Sequence, residues 1–242
     1  MTRCKTQRVY LYLLILGGVI ATLPAYGQDG DRGFIGLEAG QTSDKFGGLA
    51  PVKGPMGGVE GEWIVIKGTE KNATPNVILG GEIRFPSDTS QHASEFAAYV
   101  GPYFRAGSHW SIGFNAQVRK LYVPPGQLQG ATFNRDKMLI FEIPFVVEYR
   151  FGALRHAFVQ LQASPEFSGR LNSTTTLPSP LPKPSFDLGY SGRVSAGYIF
   201  GKWYAKATYQ SRYLKFRQDL GNPQDLYTWH ADQITGGAGI VF

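Results

Sequence analysis

Cysteine is all but missing from this chain of 242 residues. The single one, Cys4, precedes the N-terminal apolar run, so a disulfide framework and a thiolate metal site are both excluded. Beyond residue 27 no apolar stretch reaches the ~18 residues that a helical membrane span needs. Mean hydropathy is only −0.17. Helical periodicity is nearly absent. No run of Lys and Arg remains to suggest nucleic-acid binding. No His pair stands at ligand spacing, no calcium loop occurs, and no phosphate-cradling glycine motif opens a helix. The expectation is therefore no cofactor, no metal and no nucleic-acid partner.

The N-terminus carries an export pattern. Arg3, Lys5 and Arg8 precede the apolar residues 9–23, and small residues around Ala25 and Gly27 offer a cleavage site after Gly27. Residues 1–27 are expected to be a cleaved signal peptide and 28–242 a single domain. Three of the 24 basic residues and none of the 18 acidic ones lie before the cut, so a net charge of +6 falls to +3.

The whole chain is rich in glycine (31) and aromatics (14%), a composition that strands and tight turns use. Its dominant period is two. Residues 110–121 (WSIGFNAQVRKL) alternate Trp110, Ile112, Phe114, Ala116 and Val118 with Ser111, Gly113, Asn115, Gln117 and Arg119. Residues 137–151 set Leu139, Phe141, Phe145 and Val147 against Glu142, Glu148 and Arg150. About ten such strands can be read; merging the weak early ones would leave eight. Connections alternate between tight (106–109, 152–156, 201–202) and long (40–57, 123–136, 165–185, 215–228), with residues 68–75 a mild exception. The proline-rich 176–184 reads as a stiff exposed loop.

This pattern predicts an all-β fold: a closed antiparallel up-and-down transmembrane barrel with short periplasmic turns and long outer loops. The apolar set faces lipid. Trp63, Trp110, Trp203, Trp229, Tyr149 and Tyr209 are candidates for its interfacial girdles. Charge collects on the other set: Glu82, Arg84, Glu95, Arg105, Arg119, Glu142, Glu148, Arg150, Arg193, Lys206 and Arg212, with Glu38, Glu60, Glu62 and Asp187. A narrow barrel leaves room for little more than side chains, so these groups are expected to pair and plug the lumen. Pro102 and Pro144 fall inside strands and predict a bulge or a strand end. Phe242, with Ile240 on the same face of the last strand, is the expected insertion signal, read by barrel-assembly machinery.

The phrases FEIPFVVEYRF (141–151), SGRVSAGYIFGKWYAKATY (191–209) and the closing GGAGIVF resemble the outer membrane protein beta-barrel domain family. Glu148 departs from the Lys that the family often has before the Tyr. The resemblance implies an integral barrel of the bacterial outer membrane, commonly without a known activity.

Three functions follow as expectations. The first is a structural or surface-interaction barrel whose long loops meet an extracellular ligand. A narrow pore for ions or small solutes is the second. The third is a hydrolase at the barrel rim. For the last, His92 and His230 stand near the outer rim with Ser90, Ser94, Asp88 and Asp232 as conceivable partners, while His109 and His156 fall in periplasmic turns. No catalytic residue is assigned.

Overall fold

The computed structural model describes residues 33–47, 50–68, 74–123, 126–128, 131–133, 136–152, 156–172, 185–217 and 226–242. The expected signal peptide and the proline-rich 176–184 lie outside them. Among the described residues every regular element is a strand. β1 (Phe34–Phe46), β2 (Val52–Ile66), β3 (Asn76–Pro86) and β4 (Ser94–Ala106) each cross the barrel once. β5 (Trp110–Phe114) and β6 (Ala116–Val123) make one crossing, interrupted at Asn115. β7 (Gly126–Leu128) and β8 (Ala131–Phe133) pair as a separate small hairpin. β9 (Asp136–Glu142) and β10 (Phe145–Phe151) make the next crossing, interrupted at Ile143 and Pro144. β11 (Ala157–Asn172), β12 (Ser185–Phe200), β13 (Trp203–Arg217) and β14 (Leu226–Val241) complete ten antiparallel crossings.

The sheet closes where β1 pairs with β14, from Phe34↔Val241 to Phe46↔Trp229. Closure leaves none of the ten crossings as a free sheet edge. Ten crossings settle the strand number that the sequence left between ten and eight. Gly107, Gly152 and Gly201 adopt positive φ at three of the tight connections, a conformation that side chains disfavour. Strands run further than expected toward the long connections. β1 and β2 include Gly40, Gly54 and Gly57, where the sequence suggested a loop.

The interruptions line up across four neighbouring crossings. Pro102 in β4 lies between the stretch paired with β6, which ends at Val100, and the stretch paired with β5, which begins at Tyr103. Asn115, Ile143 and Pro144 continue the line, and the register shifts just beyond Pro165 in β11. Two backbone hydrogen bonds stitch this crease. The Asn115 N–H donates to the Pro144 carbonyl at 3.0 Å, and the Ile143 N–H donates to the Pro165 carbonyl at 3.2 Å. A proline there removes a donor where the ladder is already broken.

Alternation along the strands divides wall from lumen. Ile234 is 65% exposed and Trp203 56%, while Gln233, Thr235, Tyr204 and Thr208 are buried. Large apolar side chains cover the outer wall on nearly every crossing, among them Leu37, Leu79, Ile112, Val194 and Phe200. Toward the short turns, Trp110, Tyr149 and Phe151 form an aromatic group with ring centroids 4.6–4.7 Å apart. Two expected positions are corrected. Trp229 is no girdle residue: it is 0% exposed, inside the barrel. Asp187 leaves the lumen because β12 shifts register between Phe186 and Leu188. It pairs instead with Lys215, at 2.8 Å, and with Arg217, at 3.6 Å, and is exposed.

Candidate functional site

The lumen is filled in three layers, set by how far along its strand each inward residue stands. At mid-barrel lies an ion-pair cluster. Arg119 sits at its centre. Its Nη1 donates to Glu82 at 2.6 Å and to Glu95 at 2.8 Å, and its Nε donates to Glu142 at 2.7 Å. Arg84 donates to Glu38 at 2.5 Å and lies 3.3 Å from Glu82. Arg193 pairs with Glu82 and donates to the Gln210 carbonyl oxygen at 2.7 Å. Arg212 donates to Glu95 at 2.9 Å and stands 3.3 Å from Glu166 and 3.8 Å from Glu142, without hydrogen-bond geometry to either. Gln233 donates to Glu95 at 2.5 Å and Gln117 to Glu142 at 2.8 Å. Isolated charges could not stay in such a place, because burial costs several kcal/mol per ion unless geometry and hydrogen bonds return it.

The structure thus brings together eight of the expected lumen charges: Glu38, Glu82, Arg84, Glu95, Arg119, Glu142, Arg193 and Arg212. Lys206 stands lower, bound to Glu60 at 2.5 Å. Glu148 and Arg150 form a separate pair at 2.7 Å toward the short turns. Arg105, half-buried near the end of β4, lies outside the central cluster. Glu166 belongs to it and was missed, because Pro165 suggested that the strand had ended. The inward parity of Gln160, Gln162 and Ser164 continues through it.

Toward the long connections the lumen turns apolar. Leu121, Met138, Ile140, Leu214, Phe216 and Trp229 are all fully buried in one cluster. A polar hook joins it. The Trp229 indole N–H donates to Asp44 at 3.0 Å, and His92 Nδ1 lies 2.7 Å from the other Asp44 oxygen. His92 is therefore a buried structural group with Asp44 as its partner, and not a rim base. Asp88 and Ser90 bond each other instead. The hydroxyl and amide of Ser90 hold the Asp88 carboxyl below the usual carboxylate range.

Toward the short turns the lumen loosens into a cavity of about 50 Å³, lined in part by Glu60, Glu62, Tyr99, Tyr103, Gln160 and Gln162. Its polar walls and size suit a few water molecules. Tyr99 donates to Glu62 at 3.1 Å and Tyr204 to Glu60 at 3.0 Å.

On the outer wall, β13 and β14 bring together a group that sequence distance conceals. Ser211 Oγ lies 3.1 Å from His230 Nε2. Asp232 Oδ1 lies 3.5 Å from the same nitrogen and accepts the Tyr209 hydroxyl at 3.0 Å. Ser211 stands 19 positions before His230, and only the register Ser211↔Asp232, Tyr213↔His230 makes them neighbours. Among the described residues no three His, Asp or Glu side chains converge on a metal position.

No family model matches the chain, and no curated protein matches it in sequence. Solved structures do. The outer membrane protease OmpT from Escherichia coli is 11% identical, with a TM-score of 0.48 over 91% of this chain and 99% of that one. Neisserial surface protein A is 10% identical, with a TM-score of 0.41 over 87% and 97%. The KdgM porin is 8% identical, with a TM-score of 0.38 over 86% and 99%. At these identities no activity passes from the three to this chain.

Proposed function

We propose that the chain is an integral barrel of the bacterial outer membrane with a sealed lumen, acting through its outer surface in a structural or surface-interaction role. The observation that carries this reading is the stacked filling of the interior. An apolar cluster around Trp229 lies over an ion-pair layer around Arg119, inside a wall whose outer face is apolar. An outer face of this kind is stable against hydrocarbon and a liability in water. In this reading residues 1–27 direct export and are removed. Phe242 and Ile240 engage the barrel-assembly machinery, outer-membrane lipid surrounds the wall, and the long connections meet any extracellular ligand.

Two measurements test it. The chain should fractionate with the outer membrane and migrate differently on gels before and after boiling. Pure protein in planar bilayers should give no steady single-channel current. The cavity beside Glu62 and Tyr103 favours the competing reading of a narrow pore. Steady conductance would establish that pore and end the sealed-barrel reading.

A further inference from the structure

A barrel closed within must act from its wall or its loops, and the wall carries one polar group with the makings of chemistry. We propose that Ser211, His230 and Asp232 form a hydrolytic centre on the outer wall that cleaves acyl esters of phosphate-bearing lipids. The inference rests on the outer-membrane reading above.

Three observations support it. The first is geometry. Ser211 Oγ and His230 Nε2 are 3.1 Å apart, within reach of a proton transfer from nucleophile to base. The second is access. The His230 and Asp232 side chains are 42% and 38% exposed, and their strand neighbours Trp229 and Ala231 point into the lumen. The third is depth. Strands rise about 3.3 Å per residue and tilt about 40°, so the climb along β13 from Trp203 to Ser211 is roughly 20 Å along the barrel axis, within an apolar band about 25 Å tall. That level is the far interface of the bilayer, where ester bonds of lipids lie and water reaches. Tyr190 and Tyr213, stacked at 5.4 Å, and Tyr209 share that level.

The chemistry balances with water as the only co-reactant. The Ser211 hydroxyl proton passes to His230 Nε2 as Oγ bonds the ester carbonyl carbon. The bond from that carbon to the alcohol oxygen breaks, and the departing oxygen takes the proton from Nε2. Water, giving its proton to the same nitrogen, then attacks the acyl-serine. The fatty acid leaves and the serine hydroxyl is restored. Asp232 shares Nε2 with Ser211 rather than holding Nδ1, so it acts as a positioning residue: its carboxylate, tied by Tyr209, faces the proton that Nε2 gains. Lys45 pairs with His230 across β1 and β14 and is exposed, and Lys53 stands beside Ser43 on β2. They supply the cations that a lipid phosphate would seek.

The test uses the full chain, folded in lipid vesicles and, separately, in detergent–lipid micelles. Phosphatidylethanolamine with phosphatidylglycerol, and lipid A, are offered as substrates, and released fatty acid is read by mass spectrometry. A fluorophosphonate probe should label Ser211. Ser211→Ala and His230→Ala should each lower release at least about 100-fold. Asp232→Asn should lower kcat about tenfold at constant KM, and Lys45→Gln should raise KM. These side chains lie outside the packed lumen, so each variant should keep the gel shift of a folded barrel. An inserted, gel-shifted wild type that releases nothing and takes no probe overturns the hydrolase. So does release undiminished in folded Ser211→Ala. Release in micelles from a chain that will not insert into vesicles upholds the hydrolase and overturns the membrane reading.

Discussion

The two ends of the lumen are built on opposite principles. The end toward the long connections is dry: Trp229, Phe216, Leu214 and their neighbours are packed to zero exposure, and their one polar hook, Asp44, is bonded to His92 and Trp229. The end toward the short turns is loose, with Glu60, Glu62, Tyr99 and Gln160 around a cavity. Between them, the ion-pair layer has to be held by both. Stability should therefore be unevenly distributed along the barrel. The dry end and the ion pairs should be sensitive to substitution, and the wet end tolerant.

Unfolding in urea, starting from lipid vesicles, reads how differently the two ends respond to substitution. The largest loss is expected from Arg119→Met. It strands Glu82, Glu95 and Glu142 without their shared cation, at a cost of roughly 5 kcal/mol. Trp229→Ala should follow at about 3 kcal/mol, from the cavity left and from the lost bond to Asp44. Gly54→Ala is smaller. A Cβ there would stand 2.4 Å from His92 Nε2, so the ring must leave Asp44, at a cost of about 1–2 kcal/mol. The smallest is Gln160→Ala at the wet end, whose bond to Glu148 is a long 3.4 Å; under about 1 kcal/mol is expected. Equal losses for Trp229→Ala and Gln160→Ala would erase the distinction between the two ends.

How much of this was legible in the sequence depended on what parity can say. Alternation separates wall from lumen, and it placed Ile112 and Phe114 outside and Arg119 and Glu142 inside. It cannot say how far along the barrel an inward residue stands. Leu121, Met138 and Ile140 share the parity of Arg119 and Glu142, yet they belong to the apolar layer. Trp229 misled because an aromatic near a strand end reads equally well as a girdle. A slip of one residue exchanges the faces on one side of it, and the shift between Phe186 and Leu188 moved Asp187 outside while Leu188 and Tyr190 kept their outward faces. Contacts across strands were hidden altogether. His92 meets Asp44, 48 positions earlier, and Ser211 meets His230 only through hairpin register.

The crease through Pro102, Asn115, Pro144 and Pro165 has a consequence for how the cylinder assembles. Each proline is harmless only where its neighbour asks for no donor. Shift β9 and β10 by two places against β11 or β5 and a proline would confront a carbonyl left without a donor, at a cost of about 1–3 kcal/mol per mismatch. The crease is therefore a vernier. It leaves one alignment of four staves free of penalty, and so tells a folding barrel when its hoops are level.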